Sequence, residues 1–494
     1  MLGMFSAKSE HPLADAKEAK RVLESLASHE ASAALEEIVG WLESLAHDDK
    51  LKLAERAVLV FQLDEAAQAH ARKLARDYLS SPRLGRAQEF RLWQVNHDFW
   101  AQLAAAYDVC LGRASAQDKA DTAKISRALL VARLIRAFAA RIKWDQLRYG
   151  PIAVEVWQTI GRAFLLAEQN KFSRQALVLY PNVSGETTVE QEYLKTLVFN
   201  ASSMDSLLPL EIEIAERLIA HFLPHFVFTA DVRPDNVYWV DADKPVPPTR
   251  LAVSPQIAPS LRFFSTGAAL VKLEALLRRV ERGDVPADVN LGGQYSPRVV
   301  LPVLRHLAMY WAAKPPMRSF DRHRVKSRLT VVHDLETMFA RLRNGYSMEE
   351  SEAWIVDDVS LGGMGAQVPL ESNDWVRIGV LLGMQPEGGD NWLVGVIRRF
   401  SRDTPAAGSV GIETLSKSPL AVSGDLGGMA CDAILLDALH AGETLRVALP
   451  GSAFETRIPL VFTLQGKVVR LEPIELIETG VDFDLGLYRV LPPA

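Results

Sequence analysis

The sequence of 494 residues predicts a multidomain α + β protein: a large all-α N-terminal domain, an antiparallel β-barrel and a small C-terminal β domain. Three observations lead to this fold class. Apolar residues recur at helical spacing through about residue 315, Pro315 and Pro316 end that pattern, and short runs rich in Val and Ile follow. We therefore predict domains at 1–315, 316–420 and 421–494.

The helical domain is predicted to be a bundle or a solenoid, and it contains no repeat of fixed period. Segment 31–46 shows the pattern, because Leu35, Ile38 and Leu42 fall on one helical face. A proline-rich break at 231–262 excludes helix, although 237–240 has the composition of a strand. The other predicted helices span 50–79, 86–111, 117–144, 151–168, 187–203, 209–225, 266–282 and 298–312.

The barrel is predicted from short apolar runs that alternate with Gly, Asp, Asn and Ser turns. Segment 335–350 has helical spacing and is interpreted as an insertion. A second β-rich block is predicted from about residue 421. The sequence leaves open whether this block is a degenerate second barrel. Strands are predicted at 329–332, 353–356, 376–382, 392–397 and 410–415, and then at 444–449, 458–464, 467–471 and 483–490.

The bulk composition excludes several classes of function. The net charge is −6, whereas nucleic-acid-binding domains are usually strongly basic. No nucleic acid is therefore expected as a partner. The sequence contains no run of eighteen apolar residues, so membrane insertion is not expected. The first twenty residues lack the apolar core of a signal peptide, so a cytoplasmic location is expected. Cys110 and Cys431, far apart in sequence, predict neither a disulfide framework nor a zinc site.

The sequence contains no pattern that predicts an enzyme, a cofactor or a metal. It has no GxSxG nucleophile turn and no GxxxxGK[ST] phosphate loop. Three polar pairs that resemble catalytic or metal-binding spacings lack supporting residues, and we interpret them as packing or surface residues: His221 with His225, Asp241 with Asp243, and His97 with Asp98.

Arginines cluster just ahead of the predicted barrel. Residues 317–328 supply two RxxxR patterns, Arg318 with Arg322 and Arg324 with Arg328. A guanidinium group binds phosphate with two parallel hydrogen bonds, and it also matches the O6/N7 edge of guanine. These arginines therefore suit a guanine nucleotide, and the sequence leaves open which pair is used.

A second polar segment lies where one predicted strand turns into the next, at 358–363. Asp358 offers a carboxylate that only accepts hydrogen bonds, which suits the N–H groups of guanine. Ser360 adds a short partner for phosphate. Gly362 and Gly363 would let a ring or a phosphate approach the backbone closely.

The order RxxxR, strand, [D/N]xSxxG resembles the ligand signature of PilZ domains, which are six-stranded β-barrels that bind cyclic di-GMP. Residues 358–363 match the second motif in full, and 392–398 and 410–412 are similar to the closing strands of the family. The resemblance covers about residues 316–420, whereas the helical domain resembles no family that we recognise. The resemblance to PilZ domains implies cyclic di-GMP as the ligand.

The resemblance also implies roles for individual residues. Arg318 and Arg322 would hold phosphates and guanine from a flexible arm, while Asp358 and Ser360 would contact guanine and phosphate from the barrel. Gly363 would shape the turn. Possible additional contacts are Arg324, Arg328, Gly362 and Arg398.

The expected function is therefore that of a non-enzymatic bacterial signalling effector. It would couple cyclic di-GMP binding to an unidentified protein partner through the helical domain, by family analogy in motility, pili or surface adhesion. The interval from Arg322 to Asp358 is longer than in most PilZ domains. The alternative is thus a PilZ-like scaffold that no longer binds nucleotide, and a distant third is an enzyme with its site in the helical domain.

Overall fold

The computed structural model describes residues 9–80, 85–116, 125–181, 185–253, 255–314, 320–344, 351–371, 373 and 375–492. The chain divides into two compact units. The first contains the helical region, and the second contains everything from 317 onward together with the short stretches Tyr149–Pro151 and Asp205–Leu207.

Helices make up most of the first unit, as predicted. Leu35, Ile38 and Leu42 of the second helix are buried, which confirms the apolar face read from the sequence. Predicted residues 117–124 lie outside the described ranges. Within those ranges the helices are Ala16–Leu26 (α1), Ala31–His47 (α2), Leu53–Ser80 (α3), Arg86–Ala116 (α4), Arg127–Leu147 (α5), Val154–Gln169 (α6), Val189–Ala201 (α7), Pro209–Phe222 (α8), Ala269–Glu281 (α9) and Pro297–Trp311 (α10). In the described part of the chain, no helix has the length and apolarity needed to cross a membrane.

A small antiparallel sheet interrupts the helices. Its strands are Val227–Thr229 (β1), Tyr238–Asp241 (β2), Thr249–Arg250 (β3) and Leu261–Ser265 (β4), in the order β1-β4-β2-β3. The strand composition at 237–240 is thus confirmed in β2. The rest of the predicted break carries β3 and β4, which the proline-rich sequence did not indicate.

A buried polar network joins α3, α4 and α5 around Asp64, which has no exposed surface. The hydroxyl of Tyr107 donates to Asp64 at 2.6 Å and that of Tyr180 at 3.3 Å, while Arg133 lies 3.6 Å away. Burial raises the pKa of Asp64 to about 6, although the Arg133 charge and these hydrogen bonds act in the opposite direction.

The first barrel is closed and has six antiparallel strands, which confirms the predicted antiparallel β-barrel. The strands are His323–His333 (β5), Glu352–Ser360 (β6), Gly363–Pro369 (β7), Leu381–Pro386 (β8), Leu393–Thr404 (β9) and Ala407–Ser416 (β10). The strand order around the barrel is β10-β7-β6-β5-β8-β9. The strand predicted at 376–382 begins only at Leu381, because Gly379 has φ +81° and breaks the extended conformation before it.

The C-terminal block forms a second closed barrel of six antiparallel strands. The strands are Leu420–Leu426 (β11), Met429–Leu435 (β12), Thr444–Pro450 (β13), Leu460–Leu464 (β14), Lys467–Thr479 (β15) and Phe483–Val490 (β16), in the order β11-β12-β13-β16-β15-β14. Strands β11 and β12 were not predicted, since Val422 and Ile434 are their only β-branched residues. Gly427 and Gly428, at φ +67° and +91°, form the tight turn between them.

The two barrels share one apolar cluster. Helix α11 (Leu335–Asn344) confirms the helical insertion over these residues, and residues 345–350 lie outside the described ranges. Leu335 and Met338 of α11 pack in the cluster, so the helix supplies part of its core. The first barrel also contributes Val332, Leu381, Val394, Val396 and Leu415, and the second contributes Ile434, Leu436, Ala448, Phe483 and Leu485.

Candidate functional site

A β-bulge in β6 determines which face of the first barrel Asp358 occupies. Val356 is paired with Ala366 of β7, and Asp358 is paired with the neighbouring Gly365. Strand β6 therefore has one more residue than β7 between these two pairs. Val356 points into the barrel and is buried, and a residue two positions on would normally do the same. The extra residue reverses the alternation and turns Asp358 to the outer surface.

Arg322 meets Asp358 on that surface. The Nη1 atom of Arg322 donates to Oδ1 of Asp358 at 2.7 Å and to Oδ2 at 2.9 Å. The two side chains are 31% and 26% exposed, so water and a ligand can reach both. The two sequence patterns that carry the PilZ resemblance are thus in contact.

The turn that follows is closed by its own residues. The Ser360 hydroxyl donates to the carbonyl oxygen of Gly363 at 3.1 Å, and Thr414 donates its backbone N–H to Gly362 at 3.0 Å. A Cβ atom at position 363 would lie 2.1 Å from the carbonyl oxygen of Ile412. Gly363 is therefore required by the packing of β7 on β10, a stronger constraint than the turn-shaping role expected of it.

Phe320 connects the arginine-bearing segment to this turn. A Cβ atom at Gly362 would lie 2.9 Å from the Phe320 ring, so the missing side chain makes room for the aromatic ring. Phe320 is nevertheless 44% exposed. The segment that carries Arg322 is thereby held against the turn, whereas Arg318 lies outside the described residues.

Two glycines that the sequence analysis did not single out adjoin Asp358. Gly365 faces the carboxylate, and a Cβ atom there would lie 3.1 Å from both of its oxygens. Gly411 of β10 is the pairing partner of Gly365. Together they form a strip of two positions without side chains beside Asp358, and the Arg399 side chain packs against its Gly411 end, where an added Cβ would lie 3.3 Å from the Arg399 Cβ. The alternation Gly363-x-Gly365 within one strand was the signal that could have indicated it.

The remaining predicted residues are less central. Arg324 is exposed on β5 and is paired with Asp358 in the strand register. Arg328 lies further along β5, opposite Ile355. Arg398 lies on β9, which has no hydrogen-bonded edge with β6 or β7.

Arg398 forms ion pairs with two carboxylates. Its Nε donates to Glu413 at 2.7 Å, and its Nη2 donates to Glu478 of the second barrel at 2.7 Å. Its guanidinium therefore links the two barrels.

The polar pairs of the helical region do not form a second centre of this kind. His97 stacks on Trp93 at 4.8 Å between ring centroids, and its Nε2 lies 2.9 Å from Oδ1 of Asp145. Across the described ranges, no group of three or more His, Cys, Asp or Glu side chains could hold a metal ion.

A comparison with known protein families concerns the helical region. Residues 17–234 match a family described as the N-terminal domain of the cyclic-di-GMP receptor FimW. This match gives a family likeness to the helical region, for which the sequence analysis recognised none, and it covers less than half of the chain. No curated protein matches.

Solved structures show a weak likeness. One of them is the PlzA protein of Borreliella burgdorferi in complex with c-di-GMP, aligned with a TM-score of 0.14 and 8% identity over 34% of this chain and 86% of that chain. A likeness at this level has no bearing on function.

Proposed function

We propose that the chain is a cyclic di-GMP receptor that binds the nucleotide on the outer face of the first barrel. The observation that carries the proposal is the contact of Arg322 with Asp358, two residues that are 36 positions apart and belong to separate ligand patterns. The family match of residues 17–234 supports the receptor role independently, because it involves a different part of the chain.

In this proposal each side chain exchanges its present partner for the ligand. Asp358 accepts hydrogen bonds from the N–H groups of guanine, and Arg322 turns its guanidinium to a phosphate or to the O6/N7 edge. Ser360 contacts phosphate, and the glycine strip at Gly365 and Gly411 admits a flat ring. Arg318 adds a further cation, by resemblance to PilZ domains.

The exchange costs little because the Arg322–Asp358 ion pair is partly exposed. Such pairs contribute about 0–1 kcal/mol to stability, whereas hydrogen bonds to a charged ligand contribute about 1.5–3 kcal/mol each. The ligand would bind Arg318 and Arg322 in the segment between the helical domain and the first barrel. A change in that connecting segment would alter binding of a protein partner, without catalysis.

Calorimetric titration of the full chain with cyclic di-GMP tests the proposal, with GTP and cyclic AMP as controls. We expect selective binding at micromolar concentration or below, and its loss in Asp358→Ala. Equal binding of all three nucleotides, or an unaffected Asp358→Ala variant, would refute this site.

A scaffold that binds no nucleotide is the second candidate. It is favoured by the same ion pair, since Arg322 and Asp358 already satisfy each other. This candidate takes first place if cyclic di-GMP fails to bind even at millimolar concentration.

A further inference from the structure

The second barrel has a cleft of about 520 Å³ on its surface, lined only by residues of that barrel. This volume falls within the range of about 300–1,000 Å³ that is typical of small-molecule sites. Three arginines line it: Arg457 ahead of β14, Arg470 on β15 and Arg489 on β16.

The strand alternation explains why two of these arginines lie on the same outer surface. Leu471 on β15 and Val490 on β16 are buried and paired with each other. Arg470 precedes Leu471 and Arg489 precedes Val490, so both side chains point away from the core. They are diagonal neighbours across the strand pair, at a separation that one anion can bridge.

Three arginines and one carboxylate, that of Glu472, give the cleft an excess of positive charge, and Glu472 is paired with Arg489 in the strand register. In the parts of the chain that the structure describes, none of Arg457, Arg470 and Arg489 has a side-chain hydrogen bond or an ion pair. Arg446, the fourth arginine of this barrel, instead donates to Asp437 at 2.7 Å. Because like charges held together repel each other, an anion in the cleft would relieve this repulsion.

The rest of the lining indicates which kind of anion fits. Glu472 adds a carboxylate, which requires a ligand group that donates a hydrogen bond. Pro459 and Pro473 add apolar, rigid walls against which a flat ring can pack. Neither an inorganic ion nor a phosphatidylglycerol headgroup has a ring that could pack against these prolines.

We propose that this cleft binds a phosphate-bearing nucleotide as a second ligand site, separate from the one on the first barrel and independent of it. Arg470 and Arg489 hold the phosphate, and Arg457 closes over it from the segment ahead of β14. Glu472 accepts hydrogen bonds from N–H groups of the base or hydroxyls of the sugar.

The test uses the full chain carrying Asp358→Ala, so that binding to the first barrel does not mask the second site. The probes are guanosine 5′-monophosphate, cyclic di-GMP and inorganic phosphate, titrated by calorimetry. We expect at least one nucleotide to bind more tightly than inorganic phosphate. Adding Arg470→Ala and Arg489→Ala should lower that affinity at least 10-fold, which corresponds to about 1.4 kcal/mol or more.

Lys467→Ala is the matched control, because it removes one positive charge from the same strand without altering the cleft lining. It should change the affinity less than 2-fold. Thermal unfolding checks that each variant is folded, as expected for exposed side chains.

Three results would overturn the proposal: no nucleotide bound at millimolar concentration, an equal loss in Lys467→Ala, or an affinity unchanged by the double arginine substitution. Co-sedimentation with phosphatidylglycerol vesicles without nucleotide binding would assign the arginines to a membrane instead and would equally reject a nucleotide site.

Discussion

Arg322 holds both carboxylate oxygens of Asp358 through a single nitrogen, at 2.7 and 2.9 Å. The two groups that the proposed ligand needs are therefore satisfied by each other before it arrives. Binding is then an exchange of partners, in which affinity depends on the difference between the ligand contacts and this ion pair.

Arg322→Ala should weaken cyclic di-GMP binding about 10- to 150-fold, the effect of losing one hydrogen bond to a charged group, as measured by calorimetry. Stability should change by about 1 kcal/mol or less, because the ion pair is partly exposed. Arg328→Ala is the matched control on neighbouring β5, and there we expect unchanged affinity. The reverse pattern would show that Arg324 and Arg328 form the functional RxxxR pair.

Gly365→Ala should lower cyclic di-GMP affinity about 10-fold while leaving the barrel folded, since the new Cβ would lie 3.1 Å from the Asp358 oxygens and narrow the glycine strip. Gly363→Ala should instead destabilise the barrel by about 1–3 kcal/mol, because its Cβ would meet the Ile412 backbone at 2.1 Å. Calorimetry and thermal unfolding of both variants distinguish the two roles. If Gly365→Ala binds cyclic di-GMP with native affinity, the glycine strip is not part of the binding site.

Arg398 should affect stability and not ligand affinity. A double-mutant cycle of Arg398→Ala with Glu478→Ala should give a coupling of about 0.5 kcal/mol in the free energy of unfolding, modest because both side chains are partly exposed. The affinity of Arg398→Ala for cyclic di-GMP should stay within 2-fold of the native value. If Arg398→Ala loses as much affinity for cyclic di-GMP as Arg322→Ala, Arg398 contacts the ligand after all.

Asp64 should make the helical unit more stable as pH falls. Its pKa is raised from 3.8 to about 6, so between those values the folded state binds the proton more strongly than the unfolded state. This contribution is complete below pH 4 and is lost as pH rises through 6. It amounts to about 3 kcal/mol at most.

The measurement is the free energy of unfolding of native protein and Asp64→Asn between pH 4 and 7. The advantage of the native protein over the variant should shrink as pH rises to about 6. Asp77→Asn, an exposed carboxylate on the same helix, controls for the loss of one negative charge. A difference that is independent of pH would contradict the raised pKa.

Much of the fold follows from local patterns. Helices such as α2 and strands such as β13 and β16 carry regular apolar spacing, and the sequence predicts them nearly to their ends. Strands β11 and β12 were missed because their local composition only weakly favours a strand. They form because the tight turn at Gly427 and Gly428 pairs them with each other.

The site itself was predictable only in part. The composition of 358–363 indicated a guanine ligand, and family resemblance linked it to Arg322. The face that Asp358 occupies depends on a bulge, and a one-residue shift in pairing cannot be read from spacing. The cleft at Arg470 and Arg489 likewise depends on long-range register, so no local motif indicates it.

The apolar cluster shared by the two barrels has a consequence for synthesis on the ribosome. Strands β5–β10 and helix α11 emerge before the second barrel, so the part of the cluster around Leu335 and Met338 that Phe483 and Leu485 cover stays exposed until those two residues have been translated. A nascent chain in this interval exposes an apolar surface, which makes it a substrate for chaperones and prone to aggregation. Premature termination before β16 would make that exposure permanent, so the first barrel depends on a strand of the second barrel to cover its apolar surface.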